Sequence, residues 1–415
     1  MEEERDAARS SQNPLWVIYL IVFLGFIGIS IPYLLFPALF LHPEYSFVPA
    51  ESSPSHRSFL LGIALAVYPL GQFIGSPILG TLSDAFGRKK LLATSLCIAA
   101  LMNALTGLAI AKEVLPLLIL SRFIVGLMEG NIAIARAMGA DIPSIPKQKT
   151  IGRINAFVSI GYLIGPLIGA LLADKSLGLT TATPFFAVGF LLFCLSLLSA
   201  FLLPKATHSN AFALRGILQR MNFLRSISLL FADSKLKLLF LTSTLFTLAA
   251  DMFYEFGPVY LTMKWTLQPS QLIVYNGALC LGLALGNGWL PSFVSSRLPH
   301  PSSLFAAMMG FSLLLFGVVF TDSHLLMTLL FATCGIAIGL AITMLTVKIS
   351  DTASDDSQGE ALGVQHSLRV LGDAAICLLG GAVLAISSKA ILLTATLLPS
   401  MALLLYKKGF KKLKI

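Results

Sequence analysis

The stretch Gly80-Thr81-Leu82-Ser83-Asp84-Ala85-Phe86-Gly87-Arg88-Lys89-Lys90 packs one acid, three bases and two glycines into eleven residues. A long apolar run precedes it and another follows it. A soluble core has no use for a charged hinge between two membrane-length segments. A tight cytoplasmic turn between two transmembrane helices has this character. The rest of the chain agrees. Of its 415 residues, 56% are hydrophobic and only 12% charged, whereas soluble domains carry about 25% charged residues. Folded in water, so apolar a chain would expose large sticky patches. The net charge of +9 raises nucleic acid as a partner. The bases argue against it, because they sit in short clusters between apolar runs.

A bilayer-crossing helix needs about 20 apolar residues. Twelve stretches qualify: 15–41, 59–82, 91–111, 114–141, 151–173, 183–203, 238–263, 270–293, 303–320, 325–349, 360–385 and 389–406. With both termini in the cytoplasm, 21 of the 29 Lys and Arg residues fall on the inner side, five in outer loops and three within spans. That bias sets the expected orientation in a cell inner (plasma) membrane. The longest inner connection, 204–237, carries Arg215, Arg220, Arg225, Lys235 and Lys237 among Phe and Leu. It reads as a basic amphipathic segment on the inner leaflet or as a plain solvated linker. It separates a six-helix bundle over 15–203 from a second over 238–406, flanked by a tail at 1–14 and a basic tail at 407–415. The expected fold is therefore an all-α integral membrane protein of two pseudo-symmetric halves around a central site.

Met1 to Pro14 is polar, with no small-residue cleavage site after a short apolar core, so the first span is expected to remain as a helix. Trp16 and Trp265 are expected to anchor helix ends at the interface. Cys97, Cys194, Cys280, Cys334 and Cys377 each lie alone in an apolar run and read as small packing residues, not disulfide or metal ligands.

The opening stretch resembles the loop between the second and third helices of the major facilitator superfamily, whose pattern is Gly-x-Leu-Ala-Asp-Arg-x-Gly-Arg-Lys-x-x-Leu. Gly80, Leu82, Asp84, Gly87, Arg88 and Lys89 match it; Ser83 and Ala85 depart from it. Arg122-Phe-Ile-Val-Gly126, in the fourth span, resembles the family's Arg-x-x-x-Gly segment. Gly161-Tyr-Leu-Ile-Gly165-Pro166-Leu-Ile-Gly169-Ala170, in the fifth, resembles the Gly-x-x-x-Gly-Pro motif of drug/proton antiporters, and Gln358-Gly359-Glu360 is similar to the tetracycline-exporter branch. The resemblance implies the twelve-helix major facilitator fold. It also implies a conformational latch in which Asp84 faces the start of the eleventh span, near Glu360, while Arg88 pairs with Asp141. The glycines would permit close helix approach and a tight reversal. The alternative is that Arg88, Lys89 and Lys90 serve only as topology signals. In the fifth span the glycine stripe with Pro166 reads equally as a tight helix seam and as a seal against leak.

Ionisable groups at bilayer depth are functional candidates by default. Arg122, Glu129 and Arg136 are seven apart in the fourth span, so they share a face at intervals of about 10.5 Å. Asp251 and Glu255 are one turn apart in the seventh, and Arg369 and Asp373 one turn apart in the eleventh, with His366 on their side. Four acids thus face three arginines, which keep their protons. Protonating one carboxylate removes the surplus negative charge. Asp251 and Glu255, with no base on their own span, are the expected carriers of a coupling proton, with Glu129 and Asp373 as further candidates. The alternative ties each acid into a static salt bridge between helices. Arg369 either pairs with Asp373 or contacts an anionic substrate group. Arg136, His366 and Tyr254 are the other candidate substrate contacts. Phe253, Phe256 and Tyr260 with Tyr254 would line a cavity or face lipid.

No phosphate-binding loop, zinc-ligand cluster or nucleophile elbow is present, so the expected protein is not an enzyme and needs no cofactor beyond a proton gradient. Its expected partners are a small-molecule substrate, protons and the lipid bilayer, with no nucleic acid, and it is expected to be a monomer. The favoured function is a proton-coupled secondary transporter of antiporter type that exports small organic molecules by alternating access. Two alternatives are a specific transporter of an anionic metabolite or siderophore, and a transporter-shaped receptor or scaffold.

Overall fold

The computed structural model describes residues 2–42, 47–49, 51–140, 147–174, 177–203, 233–288, 290–295, 297, 300–353 and 358–413. Among these the regular structure is helical: α1 Glu2–Leu41, α2 Pro54–Phe86, α3 Arg88–Ala111, α4 Leu115–Met128, α5 Gly130–Ala140, α6 Lys147–Leu171, α7 Thr183–Leu202, α8 Ser234–Trp265, α9 Pro269–Asn287, α10 Leu290–Ser295, α11 His300–Phe320, α12 His324–Thr352, α13 Gln358–Leu384 and α14 Ser388–Leu413. Eleven are long and apolar enough to cross a membrane, and a shorter apolar stretch, Ala156–Leu171, lies in α6. The polar punctuation of the sequence explains the boundaries. Asp233 caps α8 by accepting from Lys235 N at 2.7 Å, Gln268 and Gln271 form a reciprocal capping box on α9, and Ser323 caps α12.

The fourth expected span is two helices in tandem. The ladder breaks at Glu129, whose N–H bonds back to Gly126 O at 3.0 Å, a three-residue step. At the other end of α2, Gly87 has φ 92°, a left-handed value that favours glycine, and this single residue reverses the chain into α3. Gly80 does not serve close approach as expected: among the described residues no atom lies within 4 Å of where its Cβ would be.

The chain forms two compact units. One comprises Met1–Leu35 with Val67–Met221, the other Phe36–Ala66 with Asn222–Ile415. The end of α1 and the start of α2 thus group with the second unit. Of the expected linker, 204–232 lies outside the described residues.

Each unit contains a glycine seam of the same design. In the first, Gly71 of α2 faces Gly126 and Leu127, Gly75 faces Leu127, and Gly130 of α5 faces Ser76 and Leu79; a Cβ on Gly71 would lie 2.9 Å from Leu127 N. In the second, Gly282 and Gly286 of α9 meet Gly335 and Gly339 of α12; a Cβ on Gly339 would lie 2.8 Å from Asn287 N and Leu283 O. Backbones approach this closely only where side chains are absent. The motif of α6 forms a third seam, against α1: a Cβ on Gly161 would lie 2.7 Å from Phe23 O, and Gly165 and Gly169 face Ile27, Ser30 and Ile31.

In the second unit α8 packs against α14, α13 and α12. Three of the four expected aromatics, Phe253, Phe256 and Tyr260, are core residues, not cavity liners or lipid-facing groups. Phe253 and Phe256 are fully buried and Tyr260 nearly so. Phe253 packs on Phe331 at 4.8 Å and on Phe311 at 6.1 Å; the Tyr260 hydroxyl donates to Val319 O at 2.9 Å. The reason is position: a helix with neighbours on several sides has little surface left for lipid. Trp265, the last residue of α8, packs against the His324 ring at 4.1 Å.

Candidate functional site

On α13, Gln365, Arg369, Asp373 and Cys377 recur every four residues; on α8, Ser243, Thr247, Asp251 and Glu255 do the same. Four-residue spacing stacks side chains along one helix face, and here the two stacks meet. Gln365 Nε2 donates to Ser243 Oγ at 2.8 Å. Arg369 grips Asp251 with both arms of its fork, Nη2 to Oδ1 at 2.7 Å and Nε to Oδ2 at 3.0 Å. Two turns further along α13, the Cys377 thiol donates to Glu255 Oε2 at 2.6 Å. One donor atom each from Glu255, Asp373 and Cys377 lies within 4.8 Å of the others.

The ladder sorts the charges unevenly. Asp251 is neutralised by a planar, bidentate partner, the strongest arrangement for a carboxylate. Glu255 is 2% exposed and Cys377 fully buried, and the nearest acid to Glu255 across the seam is Asp373. The like-charged meeting point is therefore Glu255 with Asp373, where the sequence had offered Asp251 with Glu255. Among the described residues three carboxyls and one guanidinium share the seam, a surplus of negative charge at membrane depth. Two carboxyls this close share a proton more readily than they hold two charges. The three converging donors also have the chemistry to ligate a thiophilic divalent cation, one ligand short of zinc's usual four.

The first unit holds a second polar cluster. The Tyr68 hydroxyl, on α2, donates to Glu129 Oε2 at 2.6 Å, which accounts for an acid at the α4–α5 break. Arg122 stacks its guanidinium over the Tyr68 ring at 4.7 Å from the centroid. It is 2% exposed, and its Nε and Nη1 have no hydrogen-bond partner among the described residues. Tyr33 and Tyr162 complete the polar surroundings of this pair.

Other expected residues lie elsewhere. His366 is exposed and Tyr254 half-buried. Arg88 is half-buried at the start of α3. The side chains of Asp84, Arg136 and Glu360 lie outside the described residues, as does Asp141, so neither the latch pairing nor a substrate contact of Arg136 has a described geometry. Cys377, Gln365 and Tyr68 were not anticipated. The signal for the first two was the unbroken four-residue polar period; Tyr68 had none, because one tyrosine in an apolar run is ordinary.

Residues 15–376 match the Major Facilitator Superfamily. The chain is 26% identical over 364 residues to the class C tetracycline resistance protein of Escherichia coli, covering 87% of each. It is 30% identical over 202 residues to the quinolone resistance protein NorA of Staphylococcus aureus, 47% of each chain. Among solved structures it resembles the nucleoside transporter NupG, with TM-score 0.74 at 14% identity over 96% of this chain and 100% of that one. The human organic anion transporter MFSD10 gives TM-score 0.66 at 19% identity, covering 95% of this chain and 99% of that one. A multi-pass helical chain with these seams and this match is a transporter, not an enzyme, and it belongs to the Major Facilitator Superfamily.

Proposed function

We propose that the chain is a proton-coupled antiporter of the inner membrane, with both termini cytoplasmic, that exports small drug-like organic molecules as a monomer. The observation that carries this reading is the seam charge: among the described residues, Asp251, Glu255 and Asp373 gather with a single cation, Arg369, and Glu255 and Asp373 adjoin. A site with surplus carboxylate takes up a proton from the acidic side and gives it up when a cation or a conformational change alters its surroundings. In this reading Arg369 and Asp251 form a neutral anchor between α8 and α13, and Glu255 and Asp373 hold the transported proton. The resistance proteins among the relatives support the drug-like substrate class.

The test is a panel of tetracyclines, fluoroquinolones and organic anions offered to the purified protein in liposomes, scored by proton flux. Glu255→Gln and Asp373→Asn should each abolish substrate-evoked proton movement while substrate still binds. Full-rate flux in both variants overturns the assignment.

One observation favours a second reading, transport of an anionic metabolite. Arg122 presents two buried N–H groups with no partner among the described residues, a donor set suited to a carboxylate. Selective loss of organic-anion transport in Arg122→Gln and Arg136→Gln would support it; unchanged anion flux would remove it.

A further inference from the structure

Where α2 turns into α3, a cavity of about 540 Å³ opens against the end of α7. That volume lies in the range of about 300–1,000 Å³ usual for ligand sites. Arg88, Lys89 and Lys90 line it together with the small Ala93 and Ala200, and among the described residues no acid is in its lining. Phe86 stands 64% exposed beside it. Beneath it the two helices are tied, Ser196 Oγ donating to Ala93 O at 2.7 Å. Neither the charge seam nor the Arg122 cluster uses this place.

We propose that the cavity binds the phosphate-bearing headgroup of an anionic phospholipid. Three observations point to a lipid. The cavity lies at the end of two membrane-length helices, α3 and α7, the depth at which headgroups sit. Its basic side chains complement a phosphate, and lysines act there as point charges. From it an apolar lane runs along the outer faces of the same helices: Ile98 and Leu101 on α3, and Phe193, Leu197 and Phe201 on α7, are all exposed. A water-soluble organic phosphate shares the headgroup chemistry but has nothing to lay along that lane. An acyl chain does.

The full-length protein, purified in detergent and supplied with equal phosphatidylglycerol and phosphatidylcholine, should retain phosphatidylglycerol when weighed intact by native mass spectrometry. Lys89→Gln with Lys90→Gln should lower that retention roughly tenfold or more, from the attraction lost with two basic side chains. Ala200→Phe, at an exposed position, should lower it as well by filling the cavity with its charge unchanged. Equal retention of the two lipids, or unchanged retention in both variants, overturns the proposal. So does displacement of phosphatidylglycerol by an equal concentration of glycerol phosphate, which would make the site one for soluble phosphates.

Discussion

Cys377 holds a buried carboxylate oxygen of Glu255 at 2.6 Å, and its own surface is fully covered. A thiol placed so is a donor to Glu255, and its loss leaves that oxygen without its partner at membrane depth. Cys377→Val should therefore change the pH profile of transport, and Cys377→Ser, which keeps a donor, should restore it. A valine variant with an unaltered profile would show the thiol to be packing alone. Asp251 and Arg369 make a complementary case. Removing one member of a fully buried pair costs about 3–5 kcal/mol; the Arg369 side chain is 42% exposed, so solvent screening should bring the loss below that range. Asp251→Asn and Arg369→Gln should each lower thermal stability in detergent, and the double variant should be more stable than the sum of the two losses predicts. Simple additivity would mean that the pair is not coupled. Glu255, Asp251 and Arg369 were legible in the sequence because charge in an apolar run is conspicuous. The thiol was not, because a cysteine there looks like any small apolar residue. Nor was the choice of Asp251 as the arginine's partner, since spacing along one helix says nothing about which neighbour faces it.

At the scale of helices, the paired glycine seams determine how closely α2 meets α4 and α9 meets α12. Gly335→Val pushes a side chain toward Leu283 N, 2.8 Å from the position a Cβ would take. Backbone cannot yield as a side chain does, so the loss should exceed the roughly 1–3 kcal/mol of an overpacked core. The measurement is the yield of folded protein in detergent; wild-type yield would refute close packing. Phe253→Ala, in the aromatic core of the second unit, should cost about 3–5 kcal/mol, read as a lowered unfolding midpoint, and an unchanged midpoint would contradict the burial. At the α11–α12 turn, Lys264 donates to the exposed Asp322 carboxylate at 2.8 Å and holds it below the usual carboxylate range. A depressed acid stabilises the fold above its unfolded value and loses that contribution as pH falls through its folded value. Wild type and Asp322→Asn should thus differ slightly in unfolding temperature at neutral pH and converge in acid; a gap that widens in acid has the wrong sign. The glycine pattern of α6 announced its seam from sequence. The break at Glu129 did not announce itself, because no proline marks it, and the Tyr68 partner of Glu129 comes from another helix.

Across the whole molecule, the same construction occurs twice. Each unit has a glycine seam and a buried polar cluster, yet the clusters differ in kind. The first unit's is built on an arginine over a tyrosine ring with Glu129 beside it. The second's has surplus acid. The membrane class and the many-span helical architecture followed from hydropathy alone, since lipid constrains composition strongly; eleven of the twelve expected spans are long and apolar enough to cross, and the fifth corresponds to the shorter Ala156–Leu171. Four acids against three arginines can be counted along the chain, but which of them adjoin depends on the pairing of α8 with α13.

That location is the central claim, and proton release on substrate binding tests it directly. The detergent-solubilised protein is titrated with a transported compound in weakly buffered solution while pH is followed. The wild type should release protons as it binds. The Glu255→Gln/Asp373→Asn double variant should bind the same compound and release none. Equal release by the double variant would place the coupling proton elsewhere.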